Sequence, residues 1–227
     1  MQYENILKKL KTLSNPKAVE GMARFGISPK STYGVSVPNL RKMAKEIGRD
    51  HPLAQQLWDS GIHEACILAS MIDDPNQVTK KQMDAWIEDF DSWDVCDQCC
   101  MNLFDKTPMA WEKAVEWTKR EKEFEKRAGF ALMACLASHD KEALDKKFLA
   151  LLPAIKREAD DHRNYVKKAV NWALRNIGKR NVNLNRKAIE TAKEIQKMDA
   201  RSAKWIASDA IRELTSEAVQ ERLQKKR

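Results

Sequence analysis

Residues 126–137 read KRAGFALMACLA, and residues 167–178 read KKAVNWALRNIG, 41 positions further on. A fainter echo follows, Ala210-Ile211-Arg212 repeating Ala173-Leu174-Arg175 at a spacing of 37. The first two segments open on cations and continue with small and apolar residues, so each reads as one helix of a unit that cannot bury its apolar face alone. Spacings of this size lie near the ~40–47 residue period of HEAT-like helix pairs, which stack into a solenoid. The expectation is an all-α chain, a HEAT-like α-α superhelix of antiparallel helix pairs, with residues 1–227 as a single domain.

The rest of the chain agrees. No stretch alternates strictly with β-branched enrichment, whereas helical periodicity recurs from end to end. Breaks fall near Ser14-Asn15-Pro16, Gly26 to Pro38, His51-Pro52, Asp73-Asp74-Pro75, Thr107-Pro108, His139-Asp140, Asp160-Asp161 and Gly178 to Asn183. They predict about a dozen helices of roughly 9–18 residues. Only FGISPKSTYGVSVPN, residues 25–39, reads as a substantial loop. Glycine and proline number seven each, about half their average usage, which also favours helices.

Charge is regional. The chain carries a formal +8, but residues 161–227 hold 17 Lys/Arg against 8 Asp/Glu, a net +9 that leaves −1 for everything before them. Between His162 and Lys187 stand Arg163, Lys167, Lys168, Arg175, Lys179, Arg180, Arg186 and Lys187 with no acidic residue. Such a cluster suits phosphate neutralisation; a solvated helix face is the plain alternative. The N-terminal MQYENILKKLKTL is interrupted by charge every few residues, so it is neither a signal peptide nor a membrane span. A cytoplasmic protein is expected, associated with the nucleoid when bound to DNA. Five cysteines in a chain that needs no stapling fit reduced thiols.

Helical projection singles out a few side chains. From Trp93 to Phe104 one face carries Trp93, Cys96, Cys99, Cys100, Leu103 and Phe104, and Asp97 falls inside that stripe, while Asp94, Gln98, Asn102 and Asp105 lie opposite. A carboxylate on an apolar face requires a reason: a structural hydrogen bond, or a catalytic role at the rim of a cleft. From Tyr165 to Ile177 the core stripe is Val166, Ala169, Val170, Ala173 and Ile177, and Trp172 projects away from it beside Tyr165, Lys168 and Arg175. An aromatic among cations suits contact with bases or sugars, or packing on the next repeat. Residues 124–137 are apolar nearly all round apart from Arg127, which beside Ala131 and Ala134 suits either a phosphate or a salt bridge.

Other signals are weak. Cys96-x-x-Cys99 has metal or redox spacing, but it lacks a second such pair and its projection makes the thiols core residues; His63-x-x-Cys66 adds little, and no metal is expected. P-loop, dinucleotide, HExxH and nucleophile-elbow patterns are missing from the sequence. Trp58, Trp86, Trp111, Trp117 and Trp205 fall near helix ends and read as packing residues.

Taken in order, Ser92-Trp93-Asp94-Val95-Cys96-Asp97, Lys126-Arg127-Ala128 and residues 165–175, YVKKAVNWALR, resemble the AlkD-type DNA alkylation repair proteins. Tyr33-Gly34-Val35-x-Val37-Pro38-x-Leu40-Arg41, Leu57-Trp58 and His63-Glu64 resemble their N-terminal region, so the likeness spans nearly the whole chain. The resemblance implies a HEAT-like solenoid whose concave basic face cradles duplex DNA. It implies a monofunctional glycosylase of base excision repair, a hydrolase releasing cationic N3- and N7-alkylated purines without drawing the lesion into a deep pocket. By position it makes Asp97 the catalytic carboxylate, Trp93 and Trp172 the sugar-facing aromatics, and Arg127 the backbone contact; the basic α-helical region read above supplies the rest of the expected DNA-binding set, Tyr165, Lys168, Arg175, Lys179 and Arg180. The three residues Trp93, Asp97 and Trp172 are expected to gather at one site. No cofactor, membrane or obligate protein partner is expected, and the partner is double-stranded DNA bearing alkylated purines, bound by a monomer. The Cys96/Cys99/Cys100 run departs from the family pattern. Two rival readings use the same fold: a non-catalytic solenoid for branched or distorted DNA, and a protein-binding scaffold.

Overall fold

The computed structural model describes residues 2–225. Met1 of the N-terminal segment, and Lys226 and Arg227 among the cations counted above, lie outside the described residues. Every regular element among the described residues is helical. The chain divides into two compact units, with the boundary between Pro108 and Met109.

The first unit contains α1 (Tyr3–Thr12), α2 (Pro16–Ala23), α3 (Val37–Ile47), α4 (His51–Asp59), α5 (His63–Ile72), α6 (Lys80–Glu88) and α7 (Trp93–Asn102), followed by a 3-10 turn at Phe104–Lys106. Short polar side chains start several of these helices by accepting an otherwise unpaired N–H: Asn15 from Ala18, Asp50 from Leu53 and Thr79 from Gln82. His51-Pro52, read above as a break, is the first turn of α4, where proline loses no intrahelical hydrogen bond. The central element is α5, which packs against α1, α3, α4 and α7.

Hydrogen bonds across this unit recur at a fixed spacing. Trp58 Nε1 donates to Asp89 at 2.9 Å and His63 Nε2 meets Asp94 at 2.8 Å, each across 31 residues, and Asn102 Nδ2 reaches Ser70 Oγ across 32. The Trp58 and Trp86 rings stack with centroids 3.9 Å apart and an interplanar angle of 2°. The first unit is thus a helical repeat with a period near 31, which the sequence pattern does not display.

The second unit contains α8 (Ala110–Trp117), α9 (Glu123–His139), α10 (Asp145–Leu149), α11 (Leu152–Arg157), a 3-10 turn (Glu158–Asp160), α12 (Asn164–Gly178), α13 (Val182–Gln196), α14 (Arg201–Leu214) and α15 (Glu217–Gln224). Helices α9, α12 and α14 pack side by side in that order, with α8 against α9, α11 against α12, and α13 against both α12 and α14. These are the expected stacked helix pairs. Ties between successive copies span 38 residues in Arg127–Tyr165, Ser138–Asn176, Asn171–Asp209 and Arg175–Glu213. A period of 38 lies between the echoes at 41 and 37. Close stacking of α9 on α8 needs Gly129, because a Cβ there would stand 2.7 Å from the Thr118 nitrogen. The helices run from 5 to 17 residues, a wider spread than the sequence suggested, because α10 and α11 are short turns set between longer neighbours.

Candidate nucleic-acid interface

In the first unit the site rests on α5 and the loop before α3. Glu64 is only 1 % exposed, and its carboxylate accepts hydrogen bonds from the backbone N–H groups of Tyr33 (2.9 Å), Gly34 (2.6 Å) and Val35 (3.2 Å). Gly34 sits at φ +76°, and a Cβ there would lie 2.4 Å from the Asn15 carbonyl oxygen, so the turn requires glycine. The segment read as a loop is therefore pinned, with Ile27, Thr32 and Val35 buried. Beside Glu64, the buried His63 ring holds Asp94 in the first turn of α7. Burial lowers the His63 pKa, but the hydrogen bond and charge of Asp94 outweigh it and leave His63 above its ordinary value.

That clamp fixes the start of α7, which carries the candidate residues. Trp93 is half-buried, and its Nε1–H donates to the Phe25 carbonyl oxygen at 3.1 Å, which orients the indole. Asp97 stands one turn later on the same face and is also half-buried. Cys96, Cys99, Cys100, Leu103 and Phe104 are buried, as the apolar stripe predicts, and Val95, outside that stripe, is buried too. Burial drives the Cys99 thiol well above its usual range, and burial followed by the charges of Asp89 and Asp91 pushes Cys66 up to about 12. Both stay protonated and inert at neutral pH. All five cysteines are free thiols. On the opposite half of α7 Asp94 is committed to His63 and Asn102 to Gln98 and Ser70.

In the second unit the buried stripe of α12 is the predicted one, and Trp172 is half-buried beside it. The N-terminal end of α12 is held tightly. Tyr165 N–H donates to Glu123 at 3.0 Å, its carbonyl accepts from Arg127 Nη1 at 2.7 Å, and its ring lies 5.3 Å from that of Phe124. Arg127, read as a phosphate contact or a salt bridge, is 6 % exposed and ties α9 to α12 through the Tyr165 backbone carbonyl.

The acid-free run from 162 to 187 is less bare than its sequence. Its carboxylates arrive from elsewhere, chiefly from the next repeat: Glu213 pairs with Arg175 and, at 2.7 Å, with Lys179, while Asp209 stands 3.6 Å from Arg175. Arg163 pairs with Asp161, and Lys187 with Glu190 at 2.8 Å. Arg180 donates to the Ala137 carbonyl at 2.8 Å and lies 4.0 Å from the Phe148 ring centroid. Lys168 is exposed. The residue that sequence reasoning missed is Trp205 on α14, assigned to packing but 41 % exposed, with Lys167 Nζ 5.3 Å from its ring centroid. Its position one period after Lys167 was the available signal.

Clefts of about 400 Å³ in the first unit, edged by Asp59, Asp89 and Asp91, and about 410 Å³ in the second, edged by Lys141, Lys179 and Arg222, do not include Trp93, Asp97 or Trp172. No described helix is long and apolar enough to cross a membrane.

The stacked helix pairs are those of a HEAT-like helical repeat protein. The sequence profile of the DNA alkylation repair enzyme family matches residues 6–214, and the chain belongs to that family. It is 24 % identical over 200 residues to the uncharacterized protein Lin0241 of Listeria innocua and 22 % identical to Lmo0209 of Listeria monocytogenes, in each case over 86 % of this chain and 87 % of the relative. A solved structure superimposes with a TM-score of 0.78 at 21 % identity, covering 94 % of this chain and 95 % of its own. It is described as a new family of proteins related to the HEAT-like repeat DNA glycosylases with affinity for branched DNA structures. The shared HEAT-like fold is thereby established for this chain.

Proposed function

We propose that the protein is a DNA glycosylase that hydrolyses the N-glycosidic bond of N3- and N7-alkylated purines in duplex DNA. The observation that carries this reading is a half-buried Asp97 one helical turn from Trp93, whose indole is held in place by the Phe25 carbonyl, in a member of the DNA alkylation repair enzyme family. An N3- or N7-alkylated purine is already cationic, so it leaves as a neutral base without being protonated. As the bond to C1′ stretches, positive charge builds on the sugar. A carboxylate already in place stabilises that charge more than it stabilises the ground state, and water then adds at C1′ and loses a proton to solvent. Asp97 is assigned this role. Trp93 and Trp172 are assigned the π faces that favour cationic lesions, each contributing about 0.5–2 kcal/mol.

Lys168, Arg175, Lys179 and Arg180 are assigned to phosphates, with Arg127 and Tyr165 forming the tied edge of the same surface. Such contacts set register without reading sequence. Incubation with N-methylated duplex DNA, followed by chromatography of free bases, tests the reading. It predicts release of N7-methylguanine and N3-methyladenine, leaving abasic sites. DNA binding without release would refute it. That outcome favours the second reading, a non-catalytic binder of branched or distorted DNA, which is supported by the description of the structural relative.

A further inference from the structure

We propose that Trp205 is a stacking platform for an unpaired nucleotide of bound DNA, apart from the residues assigned to glycosidic-bond cleavage. The inference rests on the DNA-binding reading. Trp205 is the one exposed tryptophan among the described residues; Trp58, Trp86 and Trp117 are buried in the cores. It does not stand alone on its helix. Arg201, four residues earlier, and Ser208 and Arg212, three and seven later, share its side of α14, and all three are exposed. Lys204 adjoins it and is also exposed. From α12, Lys167 reaches over the ring, and Lys168 is exposed on the same helix.

The acidic residue nearest along this face, Asp209, accepts from Asn171 Nδ2 at 2.7 Å, stands 3.6 Å from Arg175 and pairs with Arg212, so Arg201, Lys204, Lys167 and Lys168 are the cations of the patch that it does not engage. The patch therefore presents an indole among cations. A base needs a flat apolar face and its flanking phosphates need cations, which is the combination that binds single strands with little regard to sequence. A paired base inside a duplex has both faces covered by its neighbours, so the ligand is a flap, gap or frayed end. Lys167 is long and flexible enough to leave the ring for a phosphate as the base arrives.

Fluorescence anisotropy with the full-length protein tests the proposal, using a blunt duplex and the same duplex carrying a short single-stranded flap. The wild type is expected to prefer the flap DNA. Trp205→Ala should weaken flap binding about 10-fold while leaving blunt-duplex affinity within about 2-fold, and Trp205→Phe should retain most of the preference. Equal affinity of Trp205→Ala and wild type for flap DNA overturns the proposal, as does an equal loss on both DNAs. A wild type that binds blunt duplex without preferring the flap overturns the platform and leaves the DNA-binding reading intact. A wild type that binds neither DNA overturns both.

Discussion

Glu213 is the residue through which the second unit restrains its own basic face, and Glu213→Gln tests whether that face meets DNA. Its carboxylate bridges Arg175 and Lys179. Burial pushes the Glu213 pKa up, but the Lys179 hydrogen bond and the two cationic charges outweigh this, so it is held below its ordinary value and remains ionised at neutral pH. Amidation leaves Arg175 with Asp209 at 3.6 Å, whereas Lys179 loses its carboxylate partner. One cation is released. If it engages a phosphate, the slope of log K against log salt steepens by about 0.9, so raising salt from about 50 to about 200 mM costs about 3.5-fold more affinity than in the wild type. Loss of the partly exposed ion pair should lower stability by only about 1 kcal/mol. Anisotropy titrations of a labelled duplex across that salt range measure the slope. An unchanged slope, with the variant folded, would show that Lys179 does not reach phosphate and would remove the C-terminal end of α12 from the interface.

Glu64→Ala should destabilise the first unit by about 3 kcal/mol or more in urea titration, because three backbone N–H groups lose their acceptor; a loss below about 1 kcal/mol would mean that water replaces it freely. His63 should titrate above its ordinary value by NMR, and Asp94→Asn should bring it down, because burial then acts without the opposing carboxylate. Since the folded pKa is the raised one, the pair's stabilisation is present at acid pH and lost as pH rises through the folded pKa; stability that instead grew across that window would contradict the assignment. Gly129→Ala should lower stability by about 1–3 kcal/mol, because the added methyl meets the α8 backbone at Thr118, and an unchanged melting temperature would refute that packing.

The helices and their buried stripes were legible because helical periodicity is written into one segment at a time. The core of α12 and the largely buried α9 could be read from their own residues. What spans repeats was not. Arg175 and Lys179 lie in a stretch without acids, yet their partner is about one 38-residue period away, where no local window sees it. The same limit hid the 31-residue ties of the first unit, since Trp58–Asp89 and His63–Asp94 join unlike residues that leave no internal similarity. Projection of α7 marked Asp97 as unusual and set Asp94 opposite the apolar stripe, but a helical wheel cannot show that the His63 ring of α5 waits there. Trp205 was misjudged for the opposite reason: tryptophans usually pack, and only the folded unit shows that its ring meets Lys167 and solvent. The roles of Trp93, Asp97 and Trp172 came from family resemblance rather than from periodicity.

The most direct test is the single-turnover rate of N7-methylguanine release from a defined duplex by wild type and Asp97→Asn, with DNA affinity measured in parallel. An electrostatic stabiliser of the sugar cation predicts a fall of about 100-fold or more in rate with affinity changed less than about 3-fold. Release by Asp97→Asn at the wild-type rate would contradict the assignment of catalysis to α7.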